Sequence, residues 1–316
     1  MTINDIKELN KQGKLAYFFA GGVSIANENL LMDNGCWRLQ SYATEKNNIL
    51  RRIKAGHKTF IDSGAYSAST KGLKINVDDY IEFVNQYDDH IVLFCCWDCI
   101  PVPGVDPEYS ASETWKNYLY MRERVKSPDK LLYVWHCGED TKWLKQALDF
   151  EPKLGYMALG GLVGKSPKQR DACMKQCFDT IKESKNPDIM VHAFGMSNRK
   201  LLDKYPFSSS DSTSWLQPSR FGKISANDFR TYLVSERQLD NPEHVLNLPK
   251  QIKDIVLSDI HRFKFNVQDV INSPDARKNY QVLYWQDFYE NFIQSCRTPL
   301  QQVEQVQEIE EIEDLW

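Results

Sequence analysis

Apolar and polar positions alternate along this chain in two rhythms. Short runs at 15–20, 59–62, 91–98, 131–137, 156–162 and 188–195 are mostly apolar, and a Ser/Thr-rich run at 208–213 keeps the same spacing. Most end on a polar residue or a glycine, so they read as buried strands closed by turn chemistry. Between them lie stretches with helical periodicity: 39–55, 77–87, 112–125, 141–150, 166–184 and 197–204. Asp78 and Asp79 fall in the first turn of the second stretch, where the helix dipole favours acids. Ser112 is the expected N-cap of the third, and Ser166-Pro167 opens the fifth. A strand recurs about every 25–40 residues, which is the pattern of βα repeats.

Seven strands are visible this way, and an eighth is expected near 221–224. The expected fold is α/β, a (β/α)₈ TIM-type barrel over residues 1–238, favoured over an open doubly wound sheet. No Gly-x-Gly-x-x-Gly follows the first strand, which counts against a dinucleotide fold. From 239 to 316 the pattern changes to a C-terminal helical extension, with helices expected over 245–265 and 280–296. The last segment, 303–315, sets apolar residues among glutamates and reads as a solvated acidic tail ahead of a partner-binding helix.

Composition narrows the class. The chain has 316 residues, 42% hydrophobic and 26% charged, the balance of an ordinary globular protein. It contains no apolar run of about 18 residues, so no membrane span is expected. Its first residues are polar and charged, unlike a secretory signal, and a cytoplasmic location is expected. The eight cysteines are then expected as reduced thiols. A net charge of −4 leaves no global basic footprint, so any attraction to nucleic acid must be local.

The strand ends carry Asp62, Asp98, His136, Gly160-Gly161, His192 and Asp211. In a barrel such residues converge on one mouth. Any one of the acids is also a good cap or turn former. Acids repeated at matching strand ends point instead to carboxylate chemistry, with a nucleophile, an acid/base and a recognition group.

Taken in order, DSGAYS (62–67), Asp98 after the 91–98 strand, ALGGL (158–162), HAFG (192–195) and SSSDSTSW (208–215) resemble the motif set of the tRNA-guanine transglycosylase superfamily. The likeness runs from about Ala16 to Trp215 and is nearest to its phage and bacterial branch, some members of which insert 7-deazaguanine bases into DNA. The resemblance implies a (β/α)₈ barrel that opens a nucleoside's glycosidic bond by double displacement. It further implies Asp211 as the nucleophile at C1′ and Asp62 as the acid/base. Asp98 would read donors on the base edge, and the Gly160-Gly161 backbone would donate to the base carbonyl. Tyr66 and His192 are expected beside the base, and Arg199, Lys200 and Lys165 at the nucleic-acid backbone.

Three features depart from the tRNA enzymes. Their post-barrel zinc ligands have no counterpart, since Cys296 is the only cysteine past Asp211. DSGAYS lacks the second glycine and the glutamine of the family motif, and no leucine-proline-threonine follows Asp211. The zinc module helps hold tRNA, so DNA is the favoured partner over tRNA, with a free 7-deazaguanine-type base as a further substrate. No cofactor and no metal are expected. Cys96/Cys99 and Cys173/Cys177 read as buried thiols, because neither pair has a histidine spaced beside it. For His136 and His192, phosphate binding, carboxylate orientation and a purely structural role all remain open.

Basic residues gather at 165–170, 199–204 and 220–223, and Tyr66, Trp135, Phe194 and Trp215 neighbour the strand-end acids. Cations outside and flat rings inside suit a flipped-out nucleotide. The expected activity is cleavage of a nucleobase N-glycosidic bond in nucleic acid, with base exchange. The alternatives are a DNA glycosylase that leaves an abasic site and a non-catalytic nucleic-acid-binding barrel. A metal-dependent barrel hydrolase ranks last, since the first strand has no His-x-His.

Overall fold

The computed structural model describes residues 2–21, 24–73, 75–101, 104–228 and 230–297; the acidic segment 303–315 lies outside them. Eight strands follow one another along the chain: β1 (Ala16–Phe19), β2 (Leu39–Ser41), β3 (Thr59–Asp62), β4 (Ile91–Cys95), β5 (Leu131–His136), β6 (Tyr156–Gly160), β7 (Met190–Ala193) and β8 (Ser209–Ser212). They form one sheet in the order β1-β8-β7-β6-β5-β4-β3-β2. A parallel bridge between Phe19 and Arg38 joins its two ends. With helices between the strands, this is a nearly closed (β/α)₈ barrel.

The eighth barrel strand is β2, and not the segment near 221–224. Three residues with a single leucine carry no strand signal of their own, and they run straight into the helix Tyr42–Lys54. The later segment does form a strand, β9 (Lys223–Ser225), which pairs antiparallel with β10 (Thr231–Leu233) in a separate two-stranded sheet.

Two compact units divide the chain. One holds Met1–Gly22, Trp37–Asp211 and Phe292–Trp316, and the other Val23–Cys36 and Ser212–Asn291. The expected break at 238/239 falls inside the second unit. There Ile224 and Tyr232 of the small sheet, with Val234 just after it, share one core with Val256, Ile260, Val270, Tyr280 and Tyr284. The helices of this unit include Lys250–Arg262, Val267–Asn272 and Pro274–Asn291, so the expected 245–265 helix begins only after a 3₁₀ turn at Val245–Asn247.

In the barrel unit the helix expected over 112–125 spans Pro107–Arg122, and its N-cap is Asp106 rather than Ser112. Asp106 accepts from the Glu108 N–H at 3.0 Å, and Pro107 needs no donor partner at the first position. Ser112 sits inside the helix and donates to the Tyr109 carbonyl. Ser166 does cap Pro167–Lys182, in a capping box with Gln169.

The barrel strands are buried along nearly their whole length, as parallel strands covered on both faces must be. Tyr133 of β5 packs outward against Trp115 and Tyr118 of the helix Pro107–Arg122. Phe18 of β1, Phe60 of β3 and His192 of β7 meet edge-to-face, with centroids 4.8–6.1 Å apart. Burying each such phenylalanine contributes about 1.5–3 kcal/mol. This ring layer is the floor on which the strand-end polar groups stand.

Candidate active site

Asp62 is the last residue of β3, and it is only partly buried. Burial, followed by the charges of Asp98 and Asp211, pushes its pKa up to about 8, against the Gly64 N–H that donates to its Oδ2. The carboxyl is therefore mostly protonated at neutral pH and able to donate. That both other acids act on it shows that the three gather at one mouth. Gly64, at φ 81°, turns the chain into the helix Ala65–Lys71, and a Cβ there would collide with Ala43.

Asp98 follows β4 and is 7% exposed. Its Oδ1 accepts from the Ser63 hydroxyl at 2.7 Å, and its Oδ2 lies 3.0 Å from His136 Nε2. His136 ends β5, and its other ring nitrogen, Nδ1, lies 3.0 Å from Glu139 Oε1. The second Glu139 oxygen accepts from the His136 backbone N–H at 3.0 Å. Burial opposes a charge on the ring, yet the hydrogen bonds and charges of Asp98 and Glu139 outweigh it and push its pKa up to about 10. The mouth therefore contains a carboxylate–imidazolium–carboxylate row.

Asp211 lies in β8 and is 5% exposed. Its Oδ1 accepts from the Gly195 N–H at 2.9 Å and faces His192 Nε2 at 3.2 Å. Oδ2 carries no hydrogen bond from the described residues. His192 Nδ1 meets Ser209 Oγ at 2.8 Å, and Ser209 in turn meets the Tyr156 hydroxyl at 2.6 Å. Phe60 and Phe194 each stand 4.8 Å from the His192 ring. His192, expected beside the base, is thus fully enclosed beneath Asp211 with both nitrogens engaged.

Gly160 ends β6 opposite His136 in register. A Cβ on Gly160 would come 2.7 Å from His136 Cδ2, so only glycine leaves the imidazole its place. Gly161 follows at φ 69°. Tyr66 is 59% exposed at the start of the helix after β3, and Phe194 is half-buried. Trp135 and Trp215, by contrast, are fully buried. Lys165 is partly exposed, and Arg199 and Lys200 are exposed on the helix Arg199–Lys204. Two neighbouring cations are already engaged: Lys204 pairs with Asp171 at 2.7 Å, and Arg170 donates to the Leu162 carbonyl.

Sequence reasoning missed Glu139, Ser63 and Gly195. The available signal for Glu139 was an acid three residues beyond a strand-end histidine, across Gly138 at φ 113°, a spacing that lets the chain double back. The cysteine reading needs one correction. Cys173 is bonded to Cys137 in a disulfide and is not a free thiol beside Cys177. Cys137 follows His136 directly, and the βα turn brings it to the helix Pro167–Lys182, a pairing 36 residues apart that spacing does not reveal. Cys96 is a buried free thiol, and Cys99 faces the Ser110 hydroxyl. Among the described residues, no group of three or more His, Cys, Asp or Glu is arranged to hold a metal ion.

The sequence matches no family model, and no curated protein matches it. The chemistry is accordingly argued from the mouth itself. It offers an acid whose pKa is pushed up to about 8, a carboxylate clamped between a hydroxyl and an imidazole, and a carboxylate hydrogen-bonded, among the described residues, on Oδ1 alone.

Proposed function

We propose that this protein cleaves a nucleobase N-glycosidic bond in nucleic acid, with DNA favoured over tRNA, through a covalent Asp211 intermediate. The observation that carries the reading is the division of labour among three neighbouring acids. Asp62, with its pKa pushed up to about 8, holds a proton at neutral pH. A nucleobase leaves poorly unless it is protonated as the bond breaks, so Asp62 is the general acid. Asp211, with its Oδ1 accepting from the Gly195 N–H and facing His192 Nε2, presents Oδ2 to the anomeric carbon. An oxocarbenium-like carbon is best met by such a fixed anion on the face opposite the leaving group.

Asp98 accepts donors at the base edge, and Tyr66 supplies an exposed ring on which a flipped base stacks. The motif order that resembles the transglycosylases supports the same roles. In those enzymes a second base displaces Asp211's counterpart from the sugar. Here the protonation needed for departure is also the deprotonation needed for entry, so Asp62 serves both half-reactions. DNA is favoured because the cysteine and histidine ligands of the tRNA enzymes' zinc module are missing from the sequence after Asp211.

The test incubates the protein with unmodified and base-modified DNA, with and without a free 7-deazaguanine base. Base exchange predicts incorporation of the labelled free base with no abasic sites. Hydrolytic excision predicts abasic sites whether or not the base is added. Neither product from DNA or from tRNA would refute the reading.

A further inference from the structure

Glu139 is buried, sits in a turn, and makes every one of its observed polar contacts to a single residue. Its Oε2 accepts from the His136 backbone N–H, its Oε1 meets the His136 ring, and its own N–H donates back to the His136 carbonyl at 3.0 Å. The carboxylate therefore cannot swing away without breaking the turn. On its far side the ring meets Asp98. An ionised carboxylate only accepts, so two carboxylates on one imidazole are both satisfied only when both ring nitrogens carry hydrogen. The ring also lies between Glu139 and Asp98, which keeps Glu139 from touching anything bound at Asp98.

We infer that Glu139 is a positioning residue: by holding His136 oriented and doubly protonated, it keeps Asp98 an accepting carboxylate aimed at the base edge. The part of this inference that concerns substrate rests on the reading of Asp98 given above; the part that concerns His136 does not. The need is electrostatic. Asp98 shares its mouth with Asp62 and Asp211, and each anion there raises the cost of the next. An imidazolium on Oδ2 offsets that crowding, and the Ser63 hydroxyl on Oδ1 completes the clamp. Without Glu139 the ring would give up its proton at a lower pH, and Asp98 would then lack a cation to offset the neighbouring acids.

The groups that face this row are few. Asp98 approaches from the end of β4 and Glu139 from the turn after β5, while β6 contributes only Gly160. Cys96 and Tyr133 feel the Glu139 charge, but burial pushes both pKa values well up, so neither titrates in the working range.

The experiment is a two-part comparison of wild type with Glu139→Gln, an isostere that keeps one acceptor for the His136 N–H, replaces the other with a donor and removes the charge. In the first part, NMR of ring-labelled histidine follows His136 with pH. Wild type should stay doubly protonated through pH 8, and the variant should titrate at least about one unit lower. In the second part, KM for the nucleic-acid substrate should rise roughly tenfold at pH 9, while at pH 6, where both rings are charged, it should stay close to wild type. A merely structural role would give the same loss at both pH values, and that result would overturn the inference. So would a wild-type ring that titrates near 6.5, a measurement that holds even where Glu139→Gln does not fold. If no nucleic acid loses a base, the proposed function falls, and the NMR titration still decides the role of Glu139.

Discussion

His136 on β5 and His192 on β7 stand at the same end of the barrel with β6 between them, and both are buried. Each points one nitrogen at a strand-end aspartate, Asp98 or Asp211. They differ in the other nitrogen. For His136 it meets a second carboxylate, Glu139, and for His192 it meets the Ser209 hydroxyl inside a cage of Phe18, Phe60 and Phe194. A hydroxyl either donates or accepts, whereas a carboxylate only accepts, so two carboxylates call for hydrogen on both His136 nitrogens, and Ser209 makes no such demand of His192. One residue type at matching positions thus supports two kinds of carboxylate. Asp98 is clamped on both oxygens, whereas Asp211 is hydrogen-bonded, among the described residues, on Oδ1 alone.

The most severe way to break this comparison is Asp211→Asn. Turnover should fall to background while nucleic-acid affinity stays within about threefold, because the amide keeps the shape and loses the nucleophile. Rapid-quench assays beside equilibrium binding would read both, and wild-type-like turnover would dissolve the distinction between the two aspartates.

Asp62→Asn should cost about 10²- to 10⁴-fold in rate, as loss of a general acid does. In wild type the rate should decline as pH rises through about 8, where Asp62 gives up its proton. Stability follows the same group. Its pKa is raised on folding from 3.8 to about 8, so the folded state binds the extra proton and stability is lost as pH climbs across that window. His136, raised from 6.5 to about 10, adds a decline in the same direction over the higher window. Chemical denaturation across pH 4 to 10 should show both, and Asp62→Asn should remove only the lower part.

Gly160→Ala sharpens the contrast between the two histidines. The new methyl would stand 2.7 Å from His136 Cδ2, and its three nearest atoms belong to His136 and Val134. It should destabilise the fold by about 1–3 kcal/mol and raise KM more than it lowers kcat. A pure kcat effect would argue that the His136 side takes part in the chemical step.

The smallest effect belongs to the rim. Lys200→Ala should weaken binding to all sequences alike and reduce the slope of log K against log salt by about one. Titrations at several salt concentrations would detect it. A change in base preference instead would move Lys200 from the backbone to the base.

Much of this protein is decided locally. Strands such as 131–136 and 156–160 are apolar up to their last residue because both faces of a parallel sheet are covered, and that pattern is legible in the chain itself. Asp62, Asp98, His136 and His192 were legible for the same reason, as polar residues toward the ends of apolar runs, and Asp211 by its place in a Ser/Thr-rich run at the same spacing. The short strand Leu39–Ser41 was not, since its pairing with Thr59–Asp62 and the Phe19–Arg38 bridge supply what its three residues lack. The same holds for the roles within the site. Spacing puts two histidines at two strand ends, but only the fold sets Glu139 against one and a hydroxyl with three phenyl rings against the other. Charge state depends on what lies within about 3 Å in space, and sequence neighbours account for only part of that shell.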